Sequence, residues 1–406
     1  MSAYLDLPAG NAALKEWYDA GTVEILAADD NPFLTMVPKN TKATGKYVTV
    51  PIVYETSQGS SATFANALAN QSPGLLAEFL VPLVPDYAIA TLGHQAMLAS
   101  QDDKGGFLDF ATLFVDLAIT SASSRQSSAL FRSGTGTIGK ISSISTGVIT
   151  LTNPADIAQF GINQTLQANS SDGGSPRTAL GYVIARDVMA GTVTVASSGM
   201  GGIAATPTSW TTSDFLLVQG DNNAKLKGLS AWLPKTSPAT SSSFYNVDRS
   251  VDSRLYGLYF NGSNMAVEEA LIDAAMLVRR EGGRPKHLIW NYGSEAALIK
   301  ALGARREFCD WKGPGEIGFR GVNIQGPAGV IECFGDRSCE AGAGYLVQMN
   351  TWKLHSLNTV PHVARYGDGL DMLRLSSADA SEVRVNSYAA LASRAPGWSS
   401  QIAFSV

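Results

Sequence analysis

Gly134-Thr-Gly-Thr-Ile-Gly139 matches the glycine spacing of a dinucleotide-binding turn, in which backbone amides and a helix N-terminus face a pyrophosphate. That chemistry needs a strand before the glycines and a helix after them. Here a helical pattern precedes and strand-like runs follow, so the glycines read as a flexible junction into a β-rich module. Gly199-Met-Gly-Gly202 reads as a loop on the same ground, and no Gly-x-x-x-x-Gly-Lys-Ser/Thr sequence occurs. The four histidines, His94, His287, His355 and His362, include no His-Glu-x-x-His spacing. His355 and His362 with Asp368 and Asp371 are the grouping to weigh as a metal site, but separated His and Asp in a turn-rich segment ordinarily satisfy backbone or water. No Gly-x-Ser-x-Gly elbow is present to activate a serine. The carboxylate pairs Asp29-Asp30, Asp102-Asp103 and Glu268-Glu269 fall at breaks or on exposed helix positions, and helix-terminal electrostatics accounts for the latter two. The expectation is a protein with no catalytic, cofactor-binding or metal-binding residues.

Composition bounds what remains. With 406 residues, 45% hydrophobic and 16% charged, the chain is long and apolar enough to bury a sizeable core. The formal net charge of −5 provides no global basic field for nucleic acid, and base-specific reading is not expected. Three cysteines, Cys309, Cys333 and Cys339, without a Cys-x-x-Cys pair, suit a reducing compartment. The N-terminus lacks the basic start and apolar run of a signal peptide, and the most apolar window, Leu75 to Leu98, is broken by Glu78, Pro82, Pro85 and Asp86, so no membrane span is expected.

The elements are unlike those of a compact enzyme. Lys46 to Tyr54 alternates Val48, Val50, Ile52 and Tyr54 against Tyr47 and Thr49, and its mate is Glu78 to Val84. Between them Glu55 to Ala77 is mostly small and polar, with Phe64 and Leu75-Leu76 as its main bulky apolar side chains. A two-stranded ribbon with so little core is marginal in water, so it suits an arm lying on a neighbouring copy. Trp17 and Tyr18, on a short helix over residues 11–24, read either as an interface anchor or as packing on their own chain. Gly106 to Arg132 carries Phe107, Phe110, Phe114, Leu117 and Ala118 at helical spacing, a helix of roughly 35–40 Å. An inserted β module follows to about Gly220, with strands expected at Gly147–Thr152, Leu180–Ala185, Gly191–Val195 and Asp214–Gln219. Mixed structure comes next: a helix over Asn264–Glu281, a strand at His287–Trp290, a helix over Ser294–Leu302, and strands at Gly329–Phe334 and Tyr345–Met349. Ser381–Tyr388 and Trp398–Phe404 read as a terminal hairpin.

Taken in that order, the chain resembles the major capsid proteins of tailed bacteriophages, the Hong Kong 97-type fold. The resemblance is carried by Asn31-Pro-Phe-Leu-Thr-Met-Val-Pro38, Ser61-Ala-Thr-Phe64 with Ala67, Ala99-Ser100 before Gly105-Gly-Phe-Leu108, Gly134-Thr-Gly136 and Arg394-Ala-Pro-Gly-Trp398. It implies an α+β fold divided into an N-terminal arm (1–38), an extended loop with an adjoining peripheral-domain strand (39–98), a spine helix of the peripheral domain (99–138), an inserted β-rich domain (139–220), a mainly axial domain (221–372) and C-terminal strands returning to the peripheral domain (373–406).

The function so implied is a self-assembling structural protein of an icosahedral shell around double-stranded DNA, located in the virion and made in the bacterial host cytoplasm. Its partners would be its own hexamers and pentamers, a separate scaffolding protein, a portal protein, a candidate decoration protein and non-specifically contacted DNA. Candidate inter-subunit contacts are Trp17, Tyr18, Lys46, Tyr54, Phe64, Leu75 and Leu76. Some members form Lys–Asn cross-links, but no Asn and Glu here match Lys42 or Lys46, so cross-linking is not expected. An encapsulin-like nanocompartment is the nearest alternative. A β-rich carbohydrate-binding or hydrolytic enzyme is the other, and it would need convergent carboxylates that the sequence does not localise.

Overall fold

The computed structural model describes residues 31–95, 110–240, 242–302, 307–312, 318–327, 329–364 and 372–404. The helix expected over residues 11–24, with Trp17 and Tyr18, lies outside them, as do Asp368 and Asp371. The centre of the fold is a seven-stranded sheet in the order Leu258–Gly262, Ser400–Phe404, Ala343–Val347, His287–Trp290, Gly329–Gly335, Gly318–Gly326 and Glu307–Lys312. Its central strands are buried on both faces and therefore read as continuous apolar runs. Leu288, Trp290 and Leu346 pack under the helix Val267–Arg280, whereas Ile289, Tyr345 and Val347 belong to the main core on the other side. That helix buries Val267, Ala270, Leu271, Ala274, Ala275 and Val278, the stripe its period prescribes. Glu268 and Glu269 stand in its first turn and Arg279 and Arg280 in its last, each sign at the dipole end it stabilises.

A second sheet of six strands is built on the long strand Ala380–Ser393, which pairs antiparallel with Val84–Gly93 along most of its length and with Trp352–Ser356 near its end. The long helix Phe110–Phe131 lies on this sheet and spans about 33 Å. Within its described part, small residues make much of its seat, with Ile119 and Val363 packed beside them. Ala118 and Ala122 pack against Val385 with Ala88 and Ala90, and Gln126 is buried beside Ser387. Small residues on both sides let the helix approach the strands closely.

The inserted module is a closed six-stranded barrel, Phe215–Val218, Thr137–Ser145, Val148–Leu151, Thr192–Ala196, Gly181–Asp187 and Thr165–Asn169 in order around the wall. Ile141, Ile149, Leu166, Val183, Val193, Val195 and Leu216 fill it. Closure removes the free edges that short Ser/Thr-rich strands would otherwise expose. The fingerprint glycines form its neck. Gly136 has φ +85°, and a Cβ there would sit 2.3 Å from the Asp221 carbonyl oxygen of the returning chain. The two crossing segments touch backbone to backbone, which only glycine allows; no helix follows to receive a phosphate.

Two expectations are corrected. Ser381–Tyr388 and Trp398–Phe404 do not form a hairpin: the long strand stays in the six-stranded sheet, while Ser400–Phe404 enters the seven-stranded sheet between Leu258–Gly262 and Ala343–Val347. The described strands of the 373–406 segment therefore divide between two sheets. The long hairpin, moreover, is not without a core at its base. Val50, Ile52, Phe79 and Val81 are buried, and Phe79 meets the Trp232 ring edge-on at 5.0 Å. At about 2 kcal/mol for each buried side chain, the base is firmly seated.

Candidate assembly surface

The hairpin strands Tyr47–Glu55 and Leu75–Pro82 pair with Val50 opposite Phe79 and Val53 opposite Leu76. Alternation sends Val50, Ile52, Phe79 and Val81 inward, so Val53 and Leu76 must face out, and they are 66% and 70% exposed. The register shifts at Val53/Glu55, and the chain then runs out into a tip closed by a bridge between Gln58 and Ser72. Within the tip is a short helix, Phe64–Ala69, that buries none of its residues. Phe64 and Leu68, one turn apart on one face, are 83% and 61% exposed.

An ion pair ties the hairpin to the body where the arm leaves it. The Glu55 carboxylate accepts from Arg254 Nη2 at 2.7 Å and from the Thr56 amide and the Gln58 side chain, and these hydrogen bonds, Arg254 first, hold its carboxyl below the usual range. Arg254 is itself anchored by Asp252. The apolar end of the hairpin is thus held out on a braced base.

Of the residues singled out from the sequence, Phe64, Leu75 and Leu76 are each exposed on the outer part of the hairpin. Lys46 stands at the base with its ammonium 5.1 Å from the Tyr47 ring centre. Tyr54 is half-buried against the main core of its own chain, so its principal contact is internal. Trp17 and Tyr18 fall outside the described residues. Leu68 and Val53 were missed, although the Phe-Ala-Asn-Ala-Leu spacing and the strand alternation both signal them. A second exposed apolar pair, Tyr87 and Ile89, lies on the outer face of the six-stranded sheet, where Tyr87 meets Tyr388 edge-on at 6.0 Å.

Charged groups that reasoning from sequence passed over hold the barrel against this body. Arg132, at the end of the long helix, places Nη2 2.8 Å from Asp156 in the barrel and Nη1 3.4 Å from Glu340 beside the seven-stranded sheet. Burial works against its charge, yet Glu340 and Asp156 outweigh burial and hold the guanidinium more firmly protonated than usual. Across the neck, Arg125 and Lys225 both reach Asp86 and Asp221, with Lys225 2.8 Å from Asp86. Burial leaves the Asp221 carboxyl raised despite these cations.

His355 and His362 pair with Ala390 and Asn386 of the same strand, so their backbones stand four positions, about 13 Å, apart. Among the described residues no group of three or more His, Cys, Asp or Glu is placed to hold a metal, and no helix is long and apolar enough to cross a membrane. Cys333 and Cys339 are buried and form no disulfide among the described residues.

No protein-family model matches the sequence, and no curated protein is similar to it. Solved structures are. The chain aligns over 95% of its length with 96% of a chain of the cyanophage A-1(L) capsid asymmetric unit, at TM-score 0.55 and 12% identity. It aligns over its whole length with 99% of a chain from the capsid of a native GTA particle, at TM-score 0.52 and 11% identity. The chain has the fold of a phage capsid subunit. A chain of Mycobacterium phage Bobi covers the same extent, 99% of each, at TM-score 0.50 and 10% identity. At such identities it is the path of the backbone that is shared, so the contact residues of this capsid-fold subunit have to be read from its own surface.

Proposed function

We propose that the chain is a major capsid protein of a tailed bacteriophage, a structural subunit that assembles through hexamers and pentamers into an icosahedral shell enclosing double-stranded DNA. The observation that carries this reading is the exposed end of the hairpin: Val53, Phe64, Leu68, Leu75 and Leu76 present apolar surface to solvent on a braced base. Such a surface is stable in water when a neighbouring copy covers it, and closed symmetry lets every copy be covered in turn.

In this reading residues 1–38 are the N-terminal arm, 39–98 the extended loop with its adjoining peripheral strand, 99–138 the spine helix and 139–220 the inserted domain. Residues 221–372 form most of the axial domain, and the final segment serves both sheets. The subunit performs no chemistry, contacts DNA without reading its sequence, and is built in the host cytoplasm with a separate scaffolding protein, a portal and, as a further candidate, a decoration protein. An encapsulin-like compartment is the second reading, since a shell of the same fold can hold protein instead of DNA.

Particle contents separate the two. In particles purified from the source that encodes the chain, this protein should be the most abundant polypeptide and nuclease treatment should leave double-stranded DNA protected inside. Particles carrying an enzyme cargo and no protected DNA would overturn the phage reading.

A further inference from the structure

A shallow pocket lies where the hairpin base meets the end of the six-stranded sheet. Thr49 and Pro51 form one lip, and Thr351, Lys353, His355 and Arg394 form the rest. Lys353 is opposite Ala392 and His355 opposite Ala390, so these two side chains share one face of the sheet. Arg394, two residues beyond Ala392, brings a third basic group to the same concavity, and its amide donates to the Thr351 carbonyl at 2.9 Å, which fixes the chain end there. The Asn40 side chain meets His355 Nδ1 at 3.3 Å. With the Asn40 amide donating, the ring proton sits on Nε2 and that atom is a donor.

Elsewhere Arg125, Arg132, Arg177, Lys225, Arg254 and Arg384 stand in ion pairs, while Arg249 lies over the Phe244 ring and donates to the Ala231 and Trp232 carbonyls. Here no carboxylate comes within ion-pair distance of Lys353 or Arg394 among the described residues. The nearest acid by register is Glu78, opposite Pro51 on the hairpin, and it is exposed and forms no ion pair with them. Burial first, then Lys353 and Arg394, lowers the His355 pKa, so the imidazole is neutral at neutral pH beside the two cations. On a chain of net charge −5, this is positive charge gathered without a counter-charge.

We infer that this pocket binds a phosphate group, with Lys353 and Arg394 supplying charge and His355 with the Thr49 hydroxyl supplying neutral donors. Donors spread around a concavity suit a tetrahedral oxyanion better than the two coplanar oxygens of a carboxylate. The phosphate comes either from a nucleic-acid backbone or from free phosphate. The first source rests on the shell reading above; phosphate binding itself does not.

The test uses the full-length soluble subunit with imidazole-labelled histidines, titrated with inorganic phosphate, and in parallel with a short duplex DNA at several salt concentrations. Phosphate should shift the His355 resonance and raise its pKa, because a bound anion favours the imidazolium. Lys353→Gln with Arg394→Gln should abolish that response, weaken duplex binding about tenfold at low salt and flatten the salt dependence by a slope of about 1–2. The paired Lys353→Arg, Arg394→Lys variant should retain both responses and controls for folding. A His355 response to phosphate with duplex binding unchanged in the Gln variant would assign the site to free phosphate. No His355 response to phosphate, or a response only to an acidic peptide, would overturn the inference. Because the titration needs no assembly, a failure to form shells would leave this result standing.

Discussion

Deleting Ser57 to Pro73 is expected to abolish shell formation and leave a folded, soluble subunit. The cut is geometrically mild: a Cβ on Gly74 would stand 3.2 Å from the Glu55 carbonyl oxygen and 3.6 Å from the Ser57 amide, so the severed ends already lie side by side. It removes Phe64, Leu68 and the exposed tip helix, none of which is buried. It spares Val50, Ile52, Phe79 and Val81, whose burial seats the hairpin, and it spares the Glu55–Arg254 ion pair. Stability by urea denaturation should therefore change by no more than about 0.5 kcal/mol, the usual range for surface changes. Assembly should be lost entirely, because each copy loses the same contact at every position in a closed shell. Normal shells from the deleted protein would sink the role assigned to the hairpin.

Replacing Arg132 by Met is expected to cost about 3–5 kcal/mol, since a buried pair broken from one side leaves its partners charged and unanswered. Asp156 is only 6% exposed, and Glu340 would face it with no cation between them. Adding Asp156→Asn and Glu340→Gln to the Met variant should recover a large part of the loss, because the penalty comes from the stranded carboxylates. A urea midpoint unchanged from the parent would show that the Arg132 clamp does not hold the barrel to the body.

What the sequence disclosed followed local periodicity. The helix Val267–Arg280 and the strand His287–Trp290 were legible because stripe and run are written in consecutive residues. Two barrel strands were not. In Thr137–Ser145 the register shifts between Ile141 and Ser143, which breaks the alternation a reader looks for, and Thr165–Asn169 buries the small Ala168 and the polar Asn169. The long helix was placed, and its described contact with the sheet is made largely by Ala118 and Ala122, since close approach to strands selects small residues.

Relations between distant segments were the least visible. Arg394-Ala-Pro-Gly397 looks like a hairpin turn, yet its flanks go to different sheets, and nothing local states that Ser400–Phe404 will pair in parallel with Leu258–Gly262. The alternation of Val50 and Ile52 was plain, whereas the cover they find, Trp232 and Phe244, lies far along the chain. Phe64, Leu75 and Leu76 stood out as bulky apolar residues in a polar stretch. The clamp at Arg132 could not, because its three charges meet only after the helix, the barrel and the central sheet are in place.

The central claim is that this subunit closes into shells, and the most direct measurement is electron microscopy of the purified full-length protein, expressed with and without its scaffolding protein and first separated by size. Closed shells, or regular rings of five and six subunits, are the predicted result. A well-behaved monomer under both conditions would contradict the claim and return attention to an enzymatic role.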